Sequence, residues 1–189
     1  MTLEAFFKEN PKTALAFSGG VDSSYLLYAA QKAGAKVRAY YVKTEFQPEF
    51  EYQDAMKLAR LLEAPVTVLR QSALEDAQVA ANPGNRCYYC KQNIFGSIWR
   101  AARADGFSVL LDGTNASDQA DDRPGMKALR ELKVRSPLRE AGLTKAMIRE
   151  KSRLAGLFTW DKPAYACLAT RIPTGEAITE EKLTRTEWA

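Results

Sequence analysis

The stretch Ser18-Gly19-Gly20-Val21-Asp22-Ser23-Ser24 concentrates what an anion site needs. Its two glycines permit positive φ and close backbone approach, its serines offer hydroxyls, and a turn that opens a helix aims free amides at one point. Phosphate is the ligand this chemistry favours. Two familiar phosphate loops are disfavoured, because no Gly-Lys-Ser/Thr follows and the spacing is not G-x-G-x-x-G. Asp22 inside an anion site requires a cation beside it, and a Mg²⁺ bridging its carboxylate and the phosphates would meet that need. The plainer alternative is a glycine turn that merely starts a helix.

Cysteines form the second candidate group. Cys87-Tyr88-Tyr89-Cys90-Lys91 is a C-x-x-C, and Cys167 stands in the loop-like run PAYACLATRIP. With 3 cysteines and 0 histidines in the whole chain, a zinc site lacks its fourth strong ligand. Three thiolates suit a 4Fe-4S cluster with one iron left open. The same residues also fit as small buried hydrophobes, since the spacing of Cys87 and Cys90 falls on neighbouring helical turns. The missing imidazole excludes Ser-His and Cys-His nucleophile pairs and leaves carboxylates, lysines, thiolates, hydroxyls, backbone amides or a metal held by oxygen or sulfur. Lys91, Arg123 and Arg171 are candidates to bind phosphate or a substrate carboxylate, with solvated surface charge as the alternative for each.

Strands and helices that would position these groups alternate along the chain. A short helix carrying Leu3, Phe6 and Phe7 behind Thr2 ends before Pro11. TALAF (13–17) then reads as a strand entering the glycine turn, and YLLYAAQKAG as the helix that follows, stopped by Gly34. KVRAYYVK (36–43) and PVTVLR (65–70) are β-rich, and EFEYQDAMKLARLL (49–62) puts Phe50, Met56, Leu58, Leu61 and Leu62 broadly on one helix face. NIFGSIWRAARADG reads as a helix ending at Gly106, and FSVLLDG (107–113) as a strand covered on both faces. The pattern predicts an α/β fold, a doubly wound, Rossmann-like parallel sheet with helices on both faces. In such a sheet ligands sit at the carboxyl ends of the strands, where the turn after the first strand opens and where Asp112 ends a central strand. Further on, NASDQADDRPG is loop chemistry, TKAMIREKSRLAG (144–156) a capped helix and residues 161–179 mostly loop. TEEKLTRTEWA is a last short helix, with Glu176, Glu180 and Glu181 as acids favoured at a helix start.

Composition agrees with one ordinary domain and a small appendage: 189 residues, 46% hydrophobic, 26% charged and 10% aromatic exclude disordered, collagen-like and coiled-coil classes. A net charge of +4 suits an anionic small molecule at least as well as a nucleic acid, and no basic stripe with interleaved aromatics appears. No apolar run nears the roughly 18 residues of a membrane span, no signal pattern opens the chain, and the odd cysteine count disfavours a disulfide framework; a cytoplasmic protein is expected.

The run from Ser18 to Ser24 resembles the PP-loop of the ATP pyrophosphatases, the superfamily of GMP synthetase, NAD synthetase and tRNA-thiolating enzymes, with a fold of the adenine nucleotide alpha hydrolase (HUP) type. The resemblance implies that the loop holds the leaving pyrophosphate of ATP while a substrate oxygen attacks the α-phosphorus, with adenine near Ala16, Phe17, Tyr41 and Val42. Asp112-Gly113, Asp122-Arg123-Pro124-Gly125 and the run Lys162 to Gly175 further resemble the LarE family of ATP-dependent sulfur transferases, in register over nearly the whole chain. LarE enzymes serve nickel-pincer nucleotide cofactor biosynthesis by adenylating carboxylates of a pyridinium biscarboxylate mononucleotide and replacing the activated oxygen with sulfur. The resemblance implies ATP and Mg²⁺ as cofactors, Asp22 as metal ligand, and Gly113, Arg123 and Arg171 beside the loop residues in nucleotide binding. Sacrificial members draw sulfur from the cysteine matching Cys167, which becomes dehydroalanine. Other members relay sulfur through a 4Fe-4S cluster on three cysteines, which Cys87, Cys90 and Cys167 resemble, and Cys87 in place of an aromatic favours that class.

The family implies a PP-loop domain over 1–160, a cysteine-bearing segment over 161–189, and a further small domain that this chain lacks. Apolar helix faces left bare would favour self-association into a homo-oligomer. Two other readings are a different PP-loop enzyme, either a tRNA thiolase or an ammonia-dependent amide synthetase, and a nucleotide-binding remnant without catalysis.

Overall fold

The computed structural model describes residues 1–118 and 124–188. Helix α1 (Leu3–Glu9) is capped by Thr2, whose hydroxyl accepts the Ala5 amide at 3.2 Å, and leads into β1 (Lys12–Ala16). Then follow α2 (Val21–Lys32), β2 (Lys36–Lys43), α3 (Glu49–Leu61), β3 (Val66–Arg70), α4 (Ala77–Ala80), α5 (Arg86–Ala104) and β4 (Leu110–Leu111). Helices α6 (Pro124–Glu131), α7 (Pro137–Glu140), α8 (Lys145–Leu154), a 3-10 turn (Leu168–Arg171) and α9 (Glu180–Trp188) complete the chain.

The four strands pair in parallel in the order β3-β2-β1-β4, and a single bridge from Leu111 to Arg135 extends the sheet beyond β4. Side-chain alternation divides the strands between two cores. Leu15, Tyr41 and Leu111 face a cluster with Phe6, Leu26, Leu27, Leu58, Leu138 and Ile148, while Ala14, Tyr40 and Leu110 face Phe95, Ile98, Trp99 and Leu129. Helices therefore cover both faces, as the strand pattern predicts. Among the described residues no helix is long and apolar enough to cross a membrane.

Several elements depart from the sequence reading. β4 is shorter than 107–113 because the Phe107 amide bonds the Ala102 carbonyl at 2.8 Å, so that the C-terminus of α5 holds the chain out of the ladder. α2 begins at Val21 inside the glycine turn, and α5 begins at Arg86, which puts Cys87 and Cys90 on its first turns. Of the face expected on α3, Leu58 is buried and Met56 and Leu62 pack against the core, whereas Phe50 and Leu61 are exposed and Ala55 and Ala59 are buried beside Leu58. A third cluster joins Leu168, Ala169, Ile172, Ile178 and Leu183 to Phe46, Ala73 and Val79, so the cysteine-bearing C-terminal segment shares its core with the connections after β2 and β3. Asp122 and Arg123 lie outside the described residues.

The small Ala55 side chain on α3 admits the backbone of the glycine turn. Gly19 has φ +74°, and a Cβ there would fall 2.5 Å from Ala55 Cβ and 2.8 Å from its Cα. Both the dihedral and the contact require glycine. Gly19→Ala should therefore destabilise the fold by about 2–4 kcal/mol, from left-handed strain and overpacking together, measured by urea denaturation.

Candidate active site

A cleft of about 470 Å³ opens at the carboxyl ends of β1, β2 and β4, where the chain reverses direction across the sheet. One end is built on the glycine turn. The N-cap of α2 is Gly20, which has no side chain to accept a hydrogen bond, so the first amides of a 12-residue helix stay free for a ligand. Meanwhile the loop hydroxyls hold the turn itself. Ser23 Oγ accepts the Ser18 amide at 3.3 Å, donates to the Gly20 carbonyl at 3.3 Å and lies 3.1 Å from Ser18 Oγ, which accepts the Gly20 amide at 3.3 Å.

Asp22 projects from the first turn of α2 into the cleft. Lys145 Nζ donates to its Oδ2 at 2.6 Å, whereas Oδ1 is buried with no partner among the described residues. Burial raises its pKa above the ordinary carboxylate value, opposed by the Lys145 ammonium. An orphaned carboxylate oxygen at the mouth of a phosphate-type loop is a donor suited to Mg²⁺, with phosphate oxygens completing the shell.

The end of β4 meets this turn directly. A Cβ on Gly113 would lie 3.0 Å from the Ser23 amide nitrogen, so a larger residue would have to displace the turn by a few tenths of an ångström. Asp112 lines the cleft with both oxygens occupied, one by Ser136 Oγ at 2.6 Å and the other by Thr114 Oγ1, which makes it a brace rather than a free acid.

Lys145 escaped the sequence reading. Its signal was available: a lysine immediately after the Thr144 cap opposes the helix dipole, and such a charge needs a partner elsewhere.

At the other end lie the cysteines. Cys87 is exposed on α5, and Cys90, one turn on, packs against the third cluster, where burial and the neighbouring Cys167 and Cys87 push its thiol up to about 12. Cys167 lines the cleft as the residue before the 3-10 turn; burial raises its pKa and the Arg86 guanidinium opposes the rise. Among the described residues, no three His, Cys, Asp or Glu side chains are gathered into a metal-ligating set, and no step below runs through a cluster.

Lys91 also lines the cleft, and its stem passes the bare Gly125, where a Cβ would come within 3.0 Å of its Cδ and Cε. Lys162 ties the cysteine-bearing segment to α3 through Asp54 at 2.9 Å and Glu51 at 3.2 Å. Ala16, Phe17, Ser18, Gly20, Val21, Ser23, Tyr41 and Val42 line the cleft, whereas Gly19 backs onto Ala55 and Ser24 is buried beneath the loop. Arg171 stays outside the cleft lining, donating to Tyr165 Oη at 2.8 Å and to the Thr186 carbonyl of α9.

No family model matches the chain. An uncharacterized protein of Synechocystis is 38% identical over 185 residues, covering 97% of this chain and 69% of that protein. Pyridinium-3,5-bisthiocarboxylic acid mononucleotide synthase of Lactiplantibacillus plantarum is 32% identical over 184 residues, covering 96% of this chain and 67% of that enzyme. The tRNA-specific 2-thiouridylase MnmA of Thermotoga petrophila is 25% identical over 144 residues, covering 64% and 40% respectively. Among solved structures, NMN synthetase from Francisella tularensis superposes with a TM-score of 0.70 at 16% identity, over 86% of this chain and 72% of that one, a likeness of fold alone. Sharing 32% of aligned residues with the Lactiplantibacillus synthase across almost its whole length, this chain belongs to the LarE family of PP-loop enzymes.

Proposed function

We propose that the protein is an ATP-dependent sulfur transferase that adenylates a carboxylate of a pyridinium mononucleotide and then replaces the activated oxygen with sulfur, in nickel-pincer cofactor biosynthesis. One observation carries the reading: the phosphate-type loop and Cys167 open onto the same cleft. The amides of α2 and the loop serines bind the β- and γ-phosphates, and adenine rests against Ala16, Phe17 and Val42. Mg²⁺ on Asp22 would neutralise phosphate charge, and Lys145, already 2.6 Å from that carboxylate, supplies a second cation.

A substrate carboxylate oxygen attacks the α-phosphorus, the bond to the β-phosphate oxygen breaks, and pyrophosphate leaves. In the direct route the Cys167 thiolate then attacks the acyl carbon and AMP departs, giving a thioester. Loss of the Cys167 α-proton to water and cleavage of its Cβ–S bond leave dehydroalanine and a thiocarboxylate. The family's other route, sulfur carried on a 4Fe-4S cluster held by Cys87, Cys90 and Cys167, finds no gathered ligand set among the described residues, and an iron assay decides between the two.

Asp22→Asn should lower pyrophosphate release from ATP and pyridinium biscarboxylate mononucleotide at least about 100-fold with the melting temperature preserved, the scale of losing one preorganised charge partner. Unchanged release would remove the loop assignment. Because burial raises the Asp22 pKa, the metal-free protein should protonate this carboxylate at a higher pH than an ordinary aspartate requires, read by a carboxyl NMR titration.

For the sulfur route, anaerobically purified parent and the three Cys→Ser variants should be assayed for iron and sulfide. Iron in the parent that is lost in every variant establishes the cluster. An iron-free parent whose mass falls by the equivalent of one hydrogen sulfide on turnover, with Cys167→Ser inert, establishes the direct route. Exposed Leu61, Met147, Leu154 and Trp160 support self-association, and light scattering should report a species larger than 21.0 kDa.

A further inference from the structure

The segment that carries Cys167 has no regular structure except one 3-10 turn, so its placement depends on side-chain ties. Those ties converge on two residues at the corner between α4 and α5. Asn82 is buried with φ +54°, a left-handed conformation that asparagine tolerates better than most residues. Its Nδ2 donates to the carbonyls of Pro173 at 2.9 Å and Ile172 at 3.3 Å, and its own carbonyl accepts the Gly175 amide at 2.9 Å. Arg86 completes the set: its guanidinium donates to Asn82 Oδ1 and, at 3.0 Å, to the carbonyl of Ala169, two residues beyond Cys167.

Arg86 occupies a position that is costly on two counts. It is the first residue of α5, where the helix dipole opposes a cation, and it is only 8% exposed, where a guanidinium loses hydration. A smaller polar residue would avoid both costs. What a long donor achieves here, with Nη1 making both bonds, is to span from the helix that bears Cys87 and Cys90 to the turn that follows Cys167. Other ties join the segment to Ala80, whose carbonyl accepts the Ile178 amide at 2.8 Å, and to Phe46, whose carbonyl accepts the Leu168 amide at 3.0 Å, but neither reaches α5.

We infer that Arg86 and Asn82 are the positioning residues for the sulfur-transfer step, a clamp that sets Cys167 at the cleft wall opposite the phosphate loop. The inference rests on the reading of Cys167 as the sulfur-bearing residue, but the clamp itself can be tested without it. Neither residue lines the cleft, so adenylation does not depend on them directly.

The experiment compares the parent with Arg86→Met and Asn82→Gly, the latter keeping the left-handed backbone while deleting the amide. Hydrogen exchange read peptide by peptide should accelerate about tenfold or more over residues 167–175 and stay unchanged over 12–32. With ATP and pyridinium biscarboxylate mononucleotide, pyrophosphate release should stay within about twofold of the parent while sulfur transferred per pyrophosphate falls about tenfold or more, the scale of a misplaced reacting group. Unaltered exchange over 167–175 overturns the clamp. So does a parallel fall of both half-reactions, which marks general destabilisation. A parent that releases no pyrophosphate defeats the functional reading instead, and the exchange data then decide the clamp alone.

Discussion

The cleft depends on a helix whose first amides have no acceptor among the described residues. Because Gly20 caps α2 without a side chain, the loop must satisfy its own backbone by other means, and Ser18 and Ser23 do so by bonding each other and the turn. That leaves the amides of α2 for a ligand, at the point where the sheet order turns from β2 on one side of β1 to β4 on the other. The neighbouring elements then have to make room. Gly19 lets the turn rest on Ala55, where a single methyl group would push the two apart, and Gly113 lets the end of β4 come close to Ser23.

Charge follows from the same geometry. An aspartate drawn into this crevice loses hydration, and the rise in its pKa measures that loss; the Lys145 ammonium offsets only part of it and touches only one oxygen. Burial without full pairing is costly, and it is tolerated where a ligand completes the set. Asp112 shows the contrast, since the same carboxylate chemistry a few residues away is fully bonded by Ser136 and Thr114 and serves the scaffold.

Local patterns made the parallel sheet, the glycine turn and the capped helices at Thr2 and Thr144 legible, because a period of two, paired glycines and cap residues are short-range signals. Less visible were features set by distant contacts. The late start of β4 depends on Phe107 bonding to α5 before the strand begins, and Phe50 meets Tyr165, with ring centroids 5.0 Å apart, rather than the core beneath α3. Arg171 reads from its chemistry as an anion ligand, yet Tyr165 and the end of α9 hold it outside the cleft lining. Lys145 and Arg86 share an overlooked signature: each is a cation in the first turn of a helix, opposed by the dipole, and each is held there by a partner far along the chain.

The two ends of the cleft rest on different kinds of structure, and the proposed chemistry explains why. Phosphoryl chemistry depends on electrostatic preorganisation, and the loop stands on the rigid centre of the sheet, between β1 and α2 with β4 alongside. A residue whose sulfur must approach an acyl carbon and then be released needs placement at a few points rather than a rigid element, and Cys167 sits on an irregular segment tied to α3, α5 and the corner before α5. Neither half-reaction calls for histidine. The attacking carboxylate is already ionised at neutral pH, the leaving pyrophosphate needs cations rather than a proton, and the Cys167 thiol, raised by burial but opposed by Arg86, is a strong nucleophile in the fraction that has lost its proton to solvent. A chain with 0 histidines can therefore carry both steps, provided its lysines and arginines stand where negative charge develops.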